Sequence, residues 1–284
     1  LGWRFLPAWD AAFPLRLAAV ADPPLGLFVR GTIGQGHAVA LVGARHATAY
    51  GKEVAEYLAR ELAAAGVAVV SGMARGVDAA AHRGALAGGG PTVAVWGAGP
   101  DRVYPPEHGA LAEEIAACGC LVTEYPTGCA PLAHHFPERN RIIAGLCEAV
   151  VVVEADERSG ALITARLALE EGRDVMAVPG SVFSRLSAGP NGLLRAGATP
   201  VLTADDVLGV LGLPPRPADA AGAEEPPLLA LIRPGEAVTV DRLAAVSRLP
   251  VAQVLETLLG LELAGRVERQ ADGRYVRSHA RPVP

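Results

Sequence analysis

The chain has 284 residues, enough for one sizeable α/β core with room for a smaller second domain. Its formal charge of -5 excludes a diffuse basic coat, so any nucleic-acid site must be a local concentration of arginine on an acidic body. No uninterrupted apolar run of about 18 residues exists to cross a bilayer and no cleavable signal segment is visible, so a soluble, cytoplasmic protein without membrane contact is expected.

Residues 1–36 carry Trp3, Phe5, Trp9 and Phe13, a turn at Asp22-Pro23-Pro24 and the apolar stretch LGLFVRG, and read as a lead-in that packs against the core. The chain starts at Leu1 rather than methionine, so further N-terminal residues are expected. From Ala38 the pattern turns regular: strand AVALV, helix YGKEVAEYLARELAAAG, strand VAVVS, helix GVDAAAHRGALAG and strand TVAVW. A helix near PEHGALAEEIAACG, strand CLVTE, a long loop, helix RNRIIAGLCE, strand AVVVVE, helix GALITARLALEEG, strand DVMAV and the closing segment PNGLLRAGATPVLTADDVLGVLG follow. Apolar runs alternating with amphipathic helices predict a doubly wound, mostly parallel α/β sheet, covered on both faces, over residues 37–213.

Residues 214–227, PPRPADAAGAEEPP, read as a linker. Residues 228–284 predict three short helices and a hairpin turning at Asp272-Gly273, the order of a winged-helix domain with its helix-turn-helix pair at Val240–Ala245 and Val251–Leu261. Eight arginines there face six acids, and the second helix, VAQVLETLLGLEL, carries no cation, so this unit reads as a protein-interaction module rather than a DNA reader.

The chemistry sits in the turns after the strands. Gly43-Ala44-Arg45 follows AVALV, Gly72-Met73-Ala74-Arg75-Gly76 follows VAVVS, and Ser159-Gly160 opens the helix after AVVVVE. Glycine lets backbone N–H groups approach an anion, a helix start adds a positive dipole end, and arginine adds a planar charged fork. One such turn suggests a phosphate and several suggest a polyanion. In His134-His135-Phe136-Pro137-Glu138-Arg139-Asn140-Arg141, an aromatic face adjoins cations, a combination suited to base stacking beside phosphates.

Other chemistries fare worse. The first turn lacks G-x-G-x-x-G and the second strand ends in Ser71-Gly72 rather than an acidic ribose binder, so no nicotinamide cofactor is expected. Cys118, Cys120, Cys129 and Cys147 show no C-x-x-C pair, and no metal is expected. Ser71, Asp78 and His82 can be drawn as a hydrolytic triad, but Asp78 and His82 stand four apart on one helix and no G-x-S-x-G elbow is present.

The segments SGMARGVDAAAH, FPERNRIIAGL and RSGALITARLALEEGRDVMAVPG together resemble the DprA family of bacterial DNA-processing proteins over roughly residues 10 to 210. The resemblance implies a Rossmann-like domain that binds single-stranded DNA without catalysis, forms a homodimer, and loads the RecA recombinase onto DNA coated with single-strand-binding protein during natural transformation. It implies a DNA-binding set of Gly43, Ala44, Arg45, Gly72, Arg75, Gly76, His134, Phe136, Arg139, Asn140, Arg141 and Gly160, in which the arginines meet phosphates, the glycine turns offer N–H donors and Phe136 stacks a base. Two positions depart from the family pattern: Ala44 stands where a hydroxyl residue is usual, and Ala133 where a basic residue is common. The alternative is a nucleotide hydrolase of the lysine-decarboxylase-like type, from whose P-G-G-x-G-T-x-x-E signature Pro179-Gly180-Ser181-Val182 departs at once.

Overall fold

A computed structural model describes residues 2–215, 227–233, 236–263, 266–270 and 272–277. The chain divides into two compact units, Leu1–Arg216 and Pro217–Pro284. Residues 216–226, most of the expected linker, lie outside the described residues.

The first unit runs β1 (Arg4–Pro7), α1 (Leu15–Ala18), β2 (Gly26–Gly31), β3 (Ala38–Val42), α2 (Ala49–Ala64), β4 (Ala68–Ser71), α3 (Val77–Ala87), β5 (Thr92–Trp96), α4 (Gly109–Cys118), β6 (Cys120–Thr123), α5 (His135–Leu146), β7 (Ala149–Val152), α6 (Gly160–Glu170), β8 (Asp174–Ala177), α7 (Ala188–Arg195), β9 (Thr199–Pro200) and α8 (Ala204–Val210). These strands form one nine-stranded sheet in the order β1-β2-β6-β5-β4-β3-β7-β8-β9. From β6 to β9 every pairing is parallel. The fold is therefore the mostly parallel, Rossmann-like α/β sheet that the alternating pattern predicts.

All five residues of β3 are buried, because helices cover both faces. Ala38, Ala40 and Val42 join a core with Ile142, Ile143 and Ala165 of α5 and α6, whereas Val39 and Leu41 join Leu58, Leu62 and Ala81 of α2 and α3. This is the period-two alternation of a strand between two layers. Thr48 starts α2 by accepting the Gly51 N–H on Oγ1 at 3.0 Å.

The lead-in does more than pack. β1 and β2 extend the sheet, with β2 antiparallel to β6 through Phe28↔Thr123 to Gly31↔Cys120, while Phe13, Leu17 and Val20 cover the α5 side. Short segments interrupted by Asp-Pro-Pro give too little alternation to read as strands; the edge of β6 recruits β2, and β2 recruits β1.

The second unit contains α9 (Pro227–Ala230), α10 (Val240–Ser247), α11 (Val251–Leu263) and an antiparallel pair, β10 (Val267–Arg269) and β11 (Tyr275–Arg277). Leu229, Leu243, Val254, Leu258 and Tyr275 form its own core. No single helix among the described residues is long and apolar enough to cross a membrane.

Candidate nucleic-acid interface

In the sheet order β3 lies between β4 and β7, so the connection leaving β3 for β4 and the one leaving β7 for β8 run in opposite directions. At this switch point the carboxyl ends of the strands part, and ligands of doubly wound sheets bind in such crevices. Here a cleft of about 280 Å³ is lined by Gly43 and Arg45 after β3, Ala74 and Asp78 after β4, Ala133, Phe136, Arg139 and Asn140 around the start of α5, and Ser159, Gly160 and Thr164 at the amino end of α6.

The Arg45 guanidinium lies 5.0 Å from the Phe136 ring centroid, over the ring. Tyr104 flanks the same ring at 5.4 Å between centroids. Such a cation–π contact is worth about 0.5–1 kcal/mol at an exposed site and holds the arginine at the mouth of the cleft. No carboxylate is paired with Arg45 among the described residues. On the other wall, Ser159 caps α6, its Oγ accepting the Ala161 N–H at 3.3 Å. Asn140 donates from Nδ2 to the Gly160 carbonyl at 3.3 Å, tying α5 to that helix start. The cleft thus offers a cation, an aromatic face and a positive helix end within one hollow.

Arg139 stands differently from the sequence expectation of a phosphate-contacting side chain. It is 4% exposed and lies beneath the cleft, donating from Nη1 to the Gly72 carbonyl at 2.7 Å and to the Val95 carbonyl. Burial pushes its pKa down to about 10, with Asp78 opposing that fall, so it stays charged at neutral pH. Burial likewise raises the Asp78 carboxyl above its ordinary value, against the pull of Arg139. Any side chain at Gly72 would begin 2.5 Å from Arg139 Nη2, so glycine there makes room for the buried guanidinium.

Several expected N–H donors are already engaged. Asp78 Oδ2 accepts the N–H groups of Gly72 at 3.1 Å and Ala74 at 3.2 Å, and the Ala44 N–H donates to the Glu154 carbonyl at 2.6 Å. Gly76 has φ +76° and lies against the Ala44 and Arg45 carbonyls, so it joins two loops rather than facing a ligand. Arg141 points away from the cleft into Asp22 at 2.9 Å and Glu124 at 2.7 Å. Arg75 is half-exposed but ion-paired with Glu107, and Ala74, not Arg75, lines the cleft. His134 is exposed at the start of α5, where Ala133 takes the cleft-facing place.

Of the expected residues, the structure brings Gly43, Arg45, Phe136, Asn140 and Gly160 together at the open cleft, with the buried Arg139 in its floor. Sequence reasoning missed Tyr104 and Thr164. Thr164 stands four residues after Gly160 on α6, a helical spacing that points it to the same side.

The triad does not assemble. Ser71 Oγ donates to the Leu41 carbonyl at 2.6 Å, and buried His82 bonds through Nδ1 to Thr92 Oγ1 at 2.7 Å. That hydroxyl donates to the Val69 carbonyl, so Nδ1 carries the proton and Nε2 is a buried acceptor without a partner. Among the described residues no group of three His, Cys, Asp or Glu side chains is gathered as a metal would require.

Residues 4–212 match the family described as DNA recombination-mediator protein A, and residues 212–273 match the DprA winged helix domain. The chain belongs to the DprA family. It is 40% identical to Protein Smf of Escherichia coli over 96% of this chain and 77% of that protein. It is 49% identical to a putative DNA processing protein DprA of Mycobacterium tuberculosis over 84% of this chain and 64% of that one. DprA from Streptococcus pneumoniae superimposes with a TM-score of 0.70 at 41% identity, covering 73% of this chain and 74% of that one. DprA from Helicobacter pylori, whose structure describes a single-stranded DNA binding mode, superimposes with a TM-score of 0.66 at 30% identity, covering 74% and 95% of the two chains. Membership makes this chain a DNA recombination mediator with a C-terminal winged helix.

Proposed function

We propose that the switch-point cleft holds single-stranded DNA, with Arg45 on a phosphate, Phe136 against a base, and the amino end of α6 facing the next phosphate. The observation that carries this reading is the placement of Arg45 over Phe136 at the cleft mouth, opposite that helix start. The single-strand binding mode described for the Helicobacter pylori homologue supports it. A splayed strand presents both phosphates and base faces to such a hollow, whereas a duplex hides its base faces by stacking.

This reading calls for no bond-making step. The protein would act by holding a strand for a RecA-type recombinase to polymerise on, displacing single-strand-binding protein as a cytoplasmic homodimer in natural transformation. The winged-helix unit, whose α11 carries no cation, would serve protein contact.

The test is a salt-titrated comparison of oligo-dT with duplex of equal length. Single-strand preference is expected, and Arg45→Ala should lower affinity and flatten the salt slope by about 0.7. Unchanged affinity and slope in that variant would remove Arg45 from the site. Filament growth by the recombinase on coated DNA, measured with the same variant, tests the mediator step.

A further inference from the structure

Val182 and Phe183 are 84% and 97% exposed, on the loop between β8 and α7. The Phe183 ring is the most exposed large apolar side chain among the described residues, and it is free to meet a planar ligand. This loop is firmly held. Gly180 and Asn191 exchange hydrogen bonds at 3.0 and 3.2 Å, and Ser181 accepts from the backbone of Phe183 and Ser184.

The loop is also joined to the cleft. Ala155, just after β7, donates to the Leu186 carbonyl at 2.7 Å and accepts from Gly189 at 2.9 Å, while the neighbouring Glu154 carbonyl takes the Ala44 N–H. The Arg45 turn and the Phe183 loop are thus bonded to adjacent residues of one strand end. Residues 156–160 form a partition: Ser159 and Gly160 line the cleft, and Asp156, Glu157 and Arg158 line a second hollow closed by Arg185 and Ala188. Asp156 is committed to this partition, accepting the Arg158 N–H at 2.7 Å and the Arg185 guanidinium at 2.9 Å. Arg158 and Arg185 are exposed there.

We propose that Phe183 is a second base platform, stacking a nucleotide of the strand that leaves the cleft over the Ser159–Gly160 rim and passes Arg158 and Arg185. It rests on the single-strand reading of the cleft and extends it from a pocket to a track. A flat ring with both faces open suits a nucleobase of any identity, which is what sequence-tolerant binding requires.

Affinity for oligo-dT of about 5 and about 20 nucleotides, with the full chain, tests it. Phe183→Ala and Phe183→Leu should bind the long oligonucleotide roughly 5- to 150-fold more weakly, the worth of one stacked base, and the short one as wild type does. Phe183→Tyr should bind both normally. Arg45→Ala should weaken both lengths, which separates the cleft from the track. Wild-type affinity of Phe183→Leu for the long oligonucleotide would overturn the platform while leaving the cleft intact. A change in sedimentation of Phe183→Ala without DNA would overturn it in favour of a contact between copies. Failure of wild type to bind either length would remove the cleft reading as well.

Discussion

Replacing Arg139 with methionine separates a surface phosphate ligand from a buried strut. The substitution keeps an unbranched stem of similar reach and removes the guanidinium that binds the Gly72 and Val95 carbonyls. A hydrogen bond from a charged donor contributes about 1.5–3 kcal/mol, and stripping the two carbonyls leaves buried acceptors beside an Asp78 that has lost its cation. Against this, removing a charge that is 4% exposed also removes its desolvation cost, so the net loss should be about 2–4 kcal/mol. For a domain of this size that lowers Tm by roughly 4–16 °C. Thermal and urea unfolding of the isolated protein without DNA measure it. An unchanged Tm together with lost DNA binding would refute the buried role and restore Arg139 as a surface contact.

The remaining expectations concern the cleft rim and the buried histidine. Glu107→Gln frees Arg75 from its ion pair, so single-strand affinity should rise severalfold and the salt slope steepen by about 0.7; an unaltered slope would show that Arg75 lies off the path of the strand. His82 is buried, and burial first, then the neighbouring His108 and Arg139 charges, lowers its pKa to about 3. The unfolded chain takes up that proton near pH 6.5 and the folded one does not, so His82 costs stability as pH falls from 6.5 to 5, by about 1.6 kcal/mol. The raised pKa of Asp78 acts in the opposite sense, so the comparison is with His82→Asn, whose stability should fall less over that window; equal slopes would show that His82 is not held neutral.

The elements of the parallel sheet were legible from Ala38 onward because apolar runs buried on two faces and helices buried on one leave different periods in the chain. The winged-helix unit was legible for the same reason, from three short helices and a hairpin turning at Asp272-Gly273, where Gly273 has φ +82°. The place of the candidate cleft was legible as well, since glycine and arginine at strand ends fall where a doubly wound sheet opens. β1 and β2 were not legible, because four- and six-residue strands at an antiparallel edge acquire partners only in the fold, β2 from β6 and β1 from β2.

What the sequence determined by itself is the inventory: which turns hold arginine, which helix starts face the strand ends, and an aromatic beside cations. What only the tertiary structure decided is how each of those groups is used. Arg45, Arg75, Arg139 and Arg141 look alike in the chain, yet one faces the cleft, one is held by Glu107, one lies under the floor and one is tied to Asp22 and Glu124. The amides of Ala44 and Gly72 are likewise taken by Glu154 and Asp78. Composition and period report the free energy of burying a segment, an average over its residues. The fate of a single polar group depends on which acceptor the fold brings within about 3 Å, and those acceptors come from strands and helices distant in the chain.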